Sequence, residues 1–240
     1  MTSATARPRD AAGLILLRHG PEGREILMGR RRRSARFLPG IPVFPGGGLE
    51  RGDHRASGYA EALAPAPRGL DGATRRALPG LLRCALRETW EETGVLLGRP
   101  ARAQPAHPED QPLWQAYRAQ GLEPALERPR LLARAITPRR SPIRFHTRFF
   151  LAEVTTNEAH GQPRDGELEF VAWIPVEEAR AMDLIDVTRF MLELALDRGA
   201  RDRAPLLCYQ QDATFIVEDG ARRRVTEDLG STGLEPSSPG

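Results

Sequence analysis

Arg87-Glu88-Thr89-Trp90-Glu91-Glu92-Thr93-Gly94-Val95 is the stretch from which the rest of the chain can be read. On a helix, Glu88, Glu91 and Glu92 stand at i, i+3 and i+4, so three carboxylates share one face. Like charges at that spacing cost roughly a few tenths of a kcal/mol per pair, and Arg87 is the only cation beside them. A positive charge held over the face would explain the arrangement, and hard oxygen ligands suit Mg2+ or Mn2+. The same pattern also fits a solvated helix face. Gly94 is a normal residue to end the helix.

Upstream, Phe44-Pro45-Gly46-Gly47-Gly48-Leu49-Glu50-Arg51-Gly52-Asp53 is a glycine-rich turn that follows the apolar run Ile41-Pro42-Val43-Phe44. Turn and carboxylate helix together resemble the Nudix box, G-x5-E-x7-R-E-U-x-E-E-x-G-U. Gly47 opens the box, Asp53 stands where the first glutamate belongs, and Arg87, Glu88, Glu91, Glu92, Gly94 and Val95 complete it. Thr89 replaces an aliphatic residue, and Asp53 is one methylene shorter than the family's acid.

The spacing departs further. Seven residues normally separate the first acid from the arginine, whereas here there are 33, from 54 to 86. Lengthening a loop that much costs about 1.3 kcal/mol, at about 0.6 per doubling. Residues 54–79 therefore read as an insertion that loops out before the helix, which Pro79 and Gly80 would start. An interrupted box resembles the Nudix branch that contains the peroxisomal coenzyme A diphosphatase. Leu82-Arg83-Cys84-Ala85-Leu86, Leu96-Leu97, Arg31, Pro39 and Arg144-Phe145-His146-Thr147-Arg148-Phe149-Phe150-Leu151 extend the likeness.

At 240 residues the chain can bury an ample core as one domain. Residues 1–10 read as a flexible start, 11–220 as the domain and 221–240 as a disordered tail. All 35 basic residues are arginine, yet the net charge is only +3, which gives no general case for nucleic acid. Two distant cysteines, Cys84 and Cys208, make neither a disulfide framework nor a metal spacing. No apolar run reaches the length of a membrane span, and Met1 to Asp10 lacks a signal-peptide core. A cytoplasmic protein without membrane partners is expected, and a homodimer is left open.

Strands are expected at Ala11–Arg18, Glu25–Gly29, Ile41–Phe44, Phe145–Val154 and Leu168–Ile174, with a closing hairpin at Leu206–Tyr209 and Thr214–Val217. Helices are expected near Ser57–Leu63, at Leu81–Thr93, Leu113–Gln120 and Val187–Asp197, and starting at Pro175. The resemblance implies a Nudix-type α/β/α sandwich with a mixed β-sheet.

It also implies a metal-dependent hydrolase of a nucleoside diphosphate linked to another moiety. Glu88 and Glu92 would bind Mg2+ or Mn2+ with the Gly46 carbonyl, and Glu91 would be a ligand or would activate water. Arg87 would orient a ligand carboxylate. Glu167, six residues before Trp173, is the candidate for a further catalytic acid, with Glu169 as the fallback. Coenzyme A carries an extra 3′-phosphate, and Arg31, Arg32, Arg33 and Arg36 are candidate donors to it, ahead of Arg144 and Arg148. A solvated basic loop is the plainer reading of each arginine. His146 on an apolar strand reads as a satisfied core histidine, and Trp90 and Cys84 as core. The leading expectation is hydrolysis of coenzyme A or acyl-coenzyme A to 3′,5′-ADP and (acyl-)phosphopantetheine. NADH, ADP-ribose and nucleotide sugars are the alternative substrates, and a non-catalytic nucleotide-binding module is the alternative class.

Overall fold

Ala11 to Leu17 carries no polar side chain, a pattern that suits a strand covered on both faces. In the structure, a computed structural model, this run is the middle of strand β1 (Arg9–Gly20). The structure describes residues 6–225 apart from 36–37, 56–57, 60–62, 68–69, 104, 106–109, 157, 159–160, 162–165, 198–203, 211–212 and 219–220. After β1 come β2 (Gly23–Arg31), β3 (Pro42–Val43), β4 (Gly46–Gly48), helix α1 (Gly72–Thr93), β5 (Gly98–Pro100) and α2 (Pro112–Ala119). Then follow β6 (Leu122–Pro124), β7 (Arg130–Ile136), β8 (Phe145–Glu153), β9 (Leu168–Pro175), α3 (Val176–Ala181), α4 (Asp186–Leu196), β10 (Leu206–Gln210), β11 (Ala213–Glu218) and β12 (Ala221–Val225).

Ten strands form one mixed sheet in the order β12-β11-β10-β7-β8-β1-β2-β3, with β4 also paired to β1 and β9 to β2. The β1–β8 and β7–β10 pairs are parallel, and the other pairs of this sheet are antiparallel. Side chains of β1 alternate between two cores. Leu14 and Leu16 join Leu81, Leu82 and Trp90 of α1, whereas Ile15 and Leu17 join Phe190, Met191 and Leu192 of α4. The result is the expected α/β/α sandwich. No described helix is long and apolar enough to cross a membrane.

Helix α1 starts nine residues earlier than Pro79–Gly80 predicts, since it begins at Gly72 rather than Leu81. Asp71 is the reason: its carboxylate accepts from the Thr74 amide at 2.7 Å and from the Thr74 hydroxyl at 2.8 Å. That cap satisfies a free amide of the first turn, and Pro79 is carried inside the helix. The looped part of the insertion is correspondingly shorter. The two ends of the 54–79 insertion nevertheless meet, because a Cβ on Gly80 would lie 3.2 Å from the His54 ring. The helix expected near Ser57–Leu63 falls largely on residues outside the described ones, and residues 58, 59 and 63 are not helical.

Sequence reasoning also missed β5, β6 and β7. The tail expected from residue 221 starts as strand β12, paired along β11, and the expected flexible start already joins β1 at Arg9.

Candidate active site

The glycine turn and the carboxylate helix meet although their contact points are 46 positions apart in sequence. The Gly46 amide donates to Glu92 Oε2 at 2.8 Å, and Glu92 is buried. β4 reaches that position by pairing with β1, Gly46 opposite Gly13. Glycine is required at the first position of the turn, where a Cβ on Gly46 would lie 2.6 Å from the Ala12 carbonyl oxygen; a Cβ on Gly47 would lie 2.5 Å from the Glu88 carboxyl and push that side chain aside. Cys84, on the next turn of α1, is buried and directs its thiol at the Gly47 and Gly48 carbonyls; burial pushes that thiol well up.

Arg87 is the hub. Its Nε and Nη2 take both oxygens of Asp53, at 3.0 and 3.1 Å, and Nη2 also donates to the Gly48 carbonyl at 3.0 Å. Nη1 lies 2.9 Å from Glu88 and 2.9 Å from Glu91. Burial works against this guanidinium, but Asp53 and Glu88 outweigh it and hold its charge more firmly than usual. Asp53 is itself buried and accepts from the Glu50 amide at 2.8 Å. Arg83, which sequence reasoning did not single out, donates to the Asp53 carbonyl at 3.1 Å.

Glu88 is pushed up to about 7, chiefly by burial; Arg87 opposes the shift, and Glu91 and Glu167 add to it. Glu167 therefore lies within electrostatic reach of the cluster, while Glu169 stands opposite Arg30 across β2 and β9. Whether the donors suit a hard divalent ion follows from their chemistry: carboxylates next to the glycine-turn backbone, partly desolvated and like-charged. Among the described residues no three acids are gathered into a ready cage; Glu88 and Glu91 are both paired with Arg87.

On the α4 side of the sheet, a cleft of about 490 Å³ opens beside the same turn. Gly46 and Gly47 edge it, Ala11, Gly13, Thr147 and Phe149 line its sheet face, and Ile185 to Thr188 at the start of α4 lie across from them. Sequence reasoning did not anticipate it. Arg31 lines it; Arg32 and Arg33 are exposed, and Arg36 lies outside the described residues. The second-choice arginines are engaged in structure instead. Arg148 is buried and pairs with Asp10, and it also donates to the His146 carbonyl and the Thr74 hydroxyl. Arg144 donates to the carbonyls of Thr137 and Ala6. His146 departs from expectation, since its buried Nε2 finds no hydrogen-bond partner among the described residues. Trp90 is core, as expected.

No protein-family model matches the chain. The acyl-coenzyme A diphosphatase NUDT19 of Gallus gallus is 35% identical over 108 residues, which cover 34% of this chain and 28% of that protein. The likeness thus spans less than a third of that relative's length. A solved Nudix hydrolase from Alicyclobacillus acidocaldarius is 29% identical and superposes with a TM-score of 0.63, over 82% of this chain and 95% of its own. The box residues, the sandwich that carries them and these two likenesses agree: the chain belongs to the Nudix hydrolase superfamily and is similar to its coenzyme A diphosphatase branch.

Proposed function

We propose that the protein is a metal-dependent diphosphatase that cleaves the pyrophosphate of coenzyme A or acyl-coenzyme A, giving 3′,5′-ADP and (acyl-)phosphopantetheine. The observation that carries the reading is the hydrogen bond from the Gly46 amide to Glu92. It sets a turn of small residues, which a pyrophosphate can approach closely, against a helix face of three carboxylates. Glu88, Glu91, Glu92 and the Gly46 carbonyl would hold Mg2+ or Mn2+. When bound, such ions neutralise the pyrophosphate and lower the pKa of a water.

The chain's own residues do the rest. Arg87, anchored on Asp53, fixes the approach of Glu88 and Glu91 and balances their charge. Glu91, the more exposed of that pair, is the group proposed to take the proton of the attacking water, with Glu167 as the second acid of the reaction. The cleft, bordered mostly by apolar side chains, suits the pantetheine and acyl half of the substrate. Arg31 to Arg33 would meet the 3′-phosphate.

A hydrolysis screen over coenzyme A, acyl-coenzyme A, NADH, ADP-ribose and dinucleoside polyphosphates, with Mg2+ and with Mn2+, tests the proposal. Coenzyme A should be preferred over its 3′-dephospho form by about ten- to a hundredfold, the worth of a charged contact of roughly 1.5–3 kcal/mol. Equal rates on the two would move the assignment to NADH or a nucleotide sugar. Binding without turnover of any of them would leave a nucleotide-binding module.

A further inference from the structure

Phe170 is 79% exposed, an unusual state for an aromatic residue within a strand. Its backbone is more unusual still, with φ at +53°, a left-handed conformation that bulky residues rarely adopt. The cause is local. The pairing of β9 with β2 slips between Met28 and Arg30, so the β9 chain bulges and Phe170 is turned outward. Beneath the slip, Leu168 fills the space over Gly29, where an added Cβ would lie 2.6 Å from the leucine Cδ1.

The exposed ring is not bare on both sides. The Arg30 guanidinium carbon lies 5.7 Å from its centroid. A cation over a ring face is attracted by the ring's quadrupole, and a guanidinium beside an aromatic ring is also the pairing used to stack nucleobases. Backbone strain held in place by surrounding structure points to a role for the residue so held.

The position fits a substrate rather than an arbitrary surface. Phe170 is three residues beyond Glu167, at most about 10 Å of chain, and Glu167 acts on Glu88. Arg30 stands opposite Pro42, and its neighbour Arg31, like Val43 next to Pro42, lines the cleft beside Gly46 and Gly47. The ring thus stands on the strand pair that carries Glu167 and Arg31 toward the proposed site, and it is absent from the cleft wall.

We propose that Phe170, steadied by Arg30, is a stacking platform for the planar base of the nucleotide substrate. This rests on the nucleotide reading above and deepens it. The non-nucleotide half would occupy the cleft and the base would lie outside it, on the β2–β9 bulge.

Binding, not turnover, tests the platform, with ADP and inorganic pyrophosphate as probes in Mg2+. Phe170→Gly keeps the positive φ without strain and removes the ring. It should weaken ADP by about five- to a hundredfold, the range for one base–aromatic stack, while pyrophosphate binds as before. Phe170→Trp should bind ADP and show a saturable quench of emission, beyond that of wild type, that pyrophosphate does not cause. ADP binding indifferent to both substitutions would overturn the platform and leave the diphosphatase reading intact. So would a dimer that dissociates in Phe170→Gly with ADP affinity unchanged, since the ring would then serve a second copy of the chain. A wild-type protein that ignores ADP overturns the platform together with the nucleotide reading.

Discussion

Arg87 holds Asp53 with two nitrogens, Nε to Oδ1 at 3.0 Å and Nη2 to Oδ2 at 3.1 Å, across 34 positions of sequence. The whole looped insertion lies within that interval. The pair closes the excursion and delivers Arg87 to Glu88 and Glu91 in a fixed orientation. A carboxylate one methylene shorter than the family's glutamate does this because the 3-10 turn at Gly52–His54 carries Asp53 inward, where it is buried. Removing one partner of a buried pair typically costs about 3–5 kcal/mol. Asp53→Ala should lose stability on that scale in urea unfolding and lose turnover with it. A change below about 1 kcal/mol, the scale of a surface pair, would show that the two halves are joined by other contacts.

Glu92 separates the proposed metal site from the fold. Its Oε2 accepts from the Gly46 amide, and the amide oxygen of glutamine can accept the same bond. Glu92→Gln should therefore unfold at nearly the wild-type temperature. Turnover with Mg2+ or Mn2+ should fall by more than the roughly 10–100-fold typical of outer-shell partners. Unchanged hydrolysis by this variant, or full activity of the wild type in EDTA, would refute the metal assignment.

The early start of α1 depends on one side chain. Asp71 caps the helix through Thr74 and pairs with Arg134 at 3.0 Å. Its carboxyl is held below the usual range, first by the Thr74 amide. Asp71→Ala should cost about 1 kcal/mol, the usual worth of an N-cap, whereas Asp71→Asn should recover most of it. Hydrogen exchange should locate the loss in residues 72–78. Protection there equal to wild type would mean that packing of Leu78 and its neighbours holds the first turns without the cap.

The box residues were legible because their chemistry is local: carboxylates at helical spacing and glycines where a chain must pass close. β1 and β8 were legible because apolar runs report burial directly. The start of α1 was misread because a proline is a stronger local signal than an aspartate three residues before a threonine, yet the capped turn prevails. β7 escaped notice since Arg130 and Arg134 interrupt an otherwise apolar strand, and Arg134 is matched by Asp71, 63 residues away. The cleft, the Phe170 bulge and the Arg148–Asp10–Thr74 contacts arise from pairings between distant strands, which no short window of sequence carries.

His146 offers a test of that buried polar region through pH. Burial pushes it down to about 4, helped by Arg148 on its own strand and Arg134 on β7, and opposed by Asp10 and Asp71. Unfolded, the imidazole titrates near its ordinary 6.5. Between those values the unfolded chain binds a proton that the folded chain refuses, so stability is full above about 6.5 and falls as pH drops toward about 4. His146→Gln, which cannot titrate, should lack this component. Melting temperatures of variant and wild type, compared from pH 7 to pH 4.5, should shift steadily in the variant's favour as acid is added. The carboxylates common to both proteins cancel in that comparison, which isolates the histidine. A difference that stays constant over the range would mean that the folded protein takes up the proton at His146 as readily as the unfolded chain.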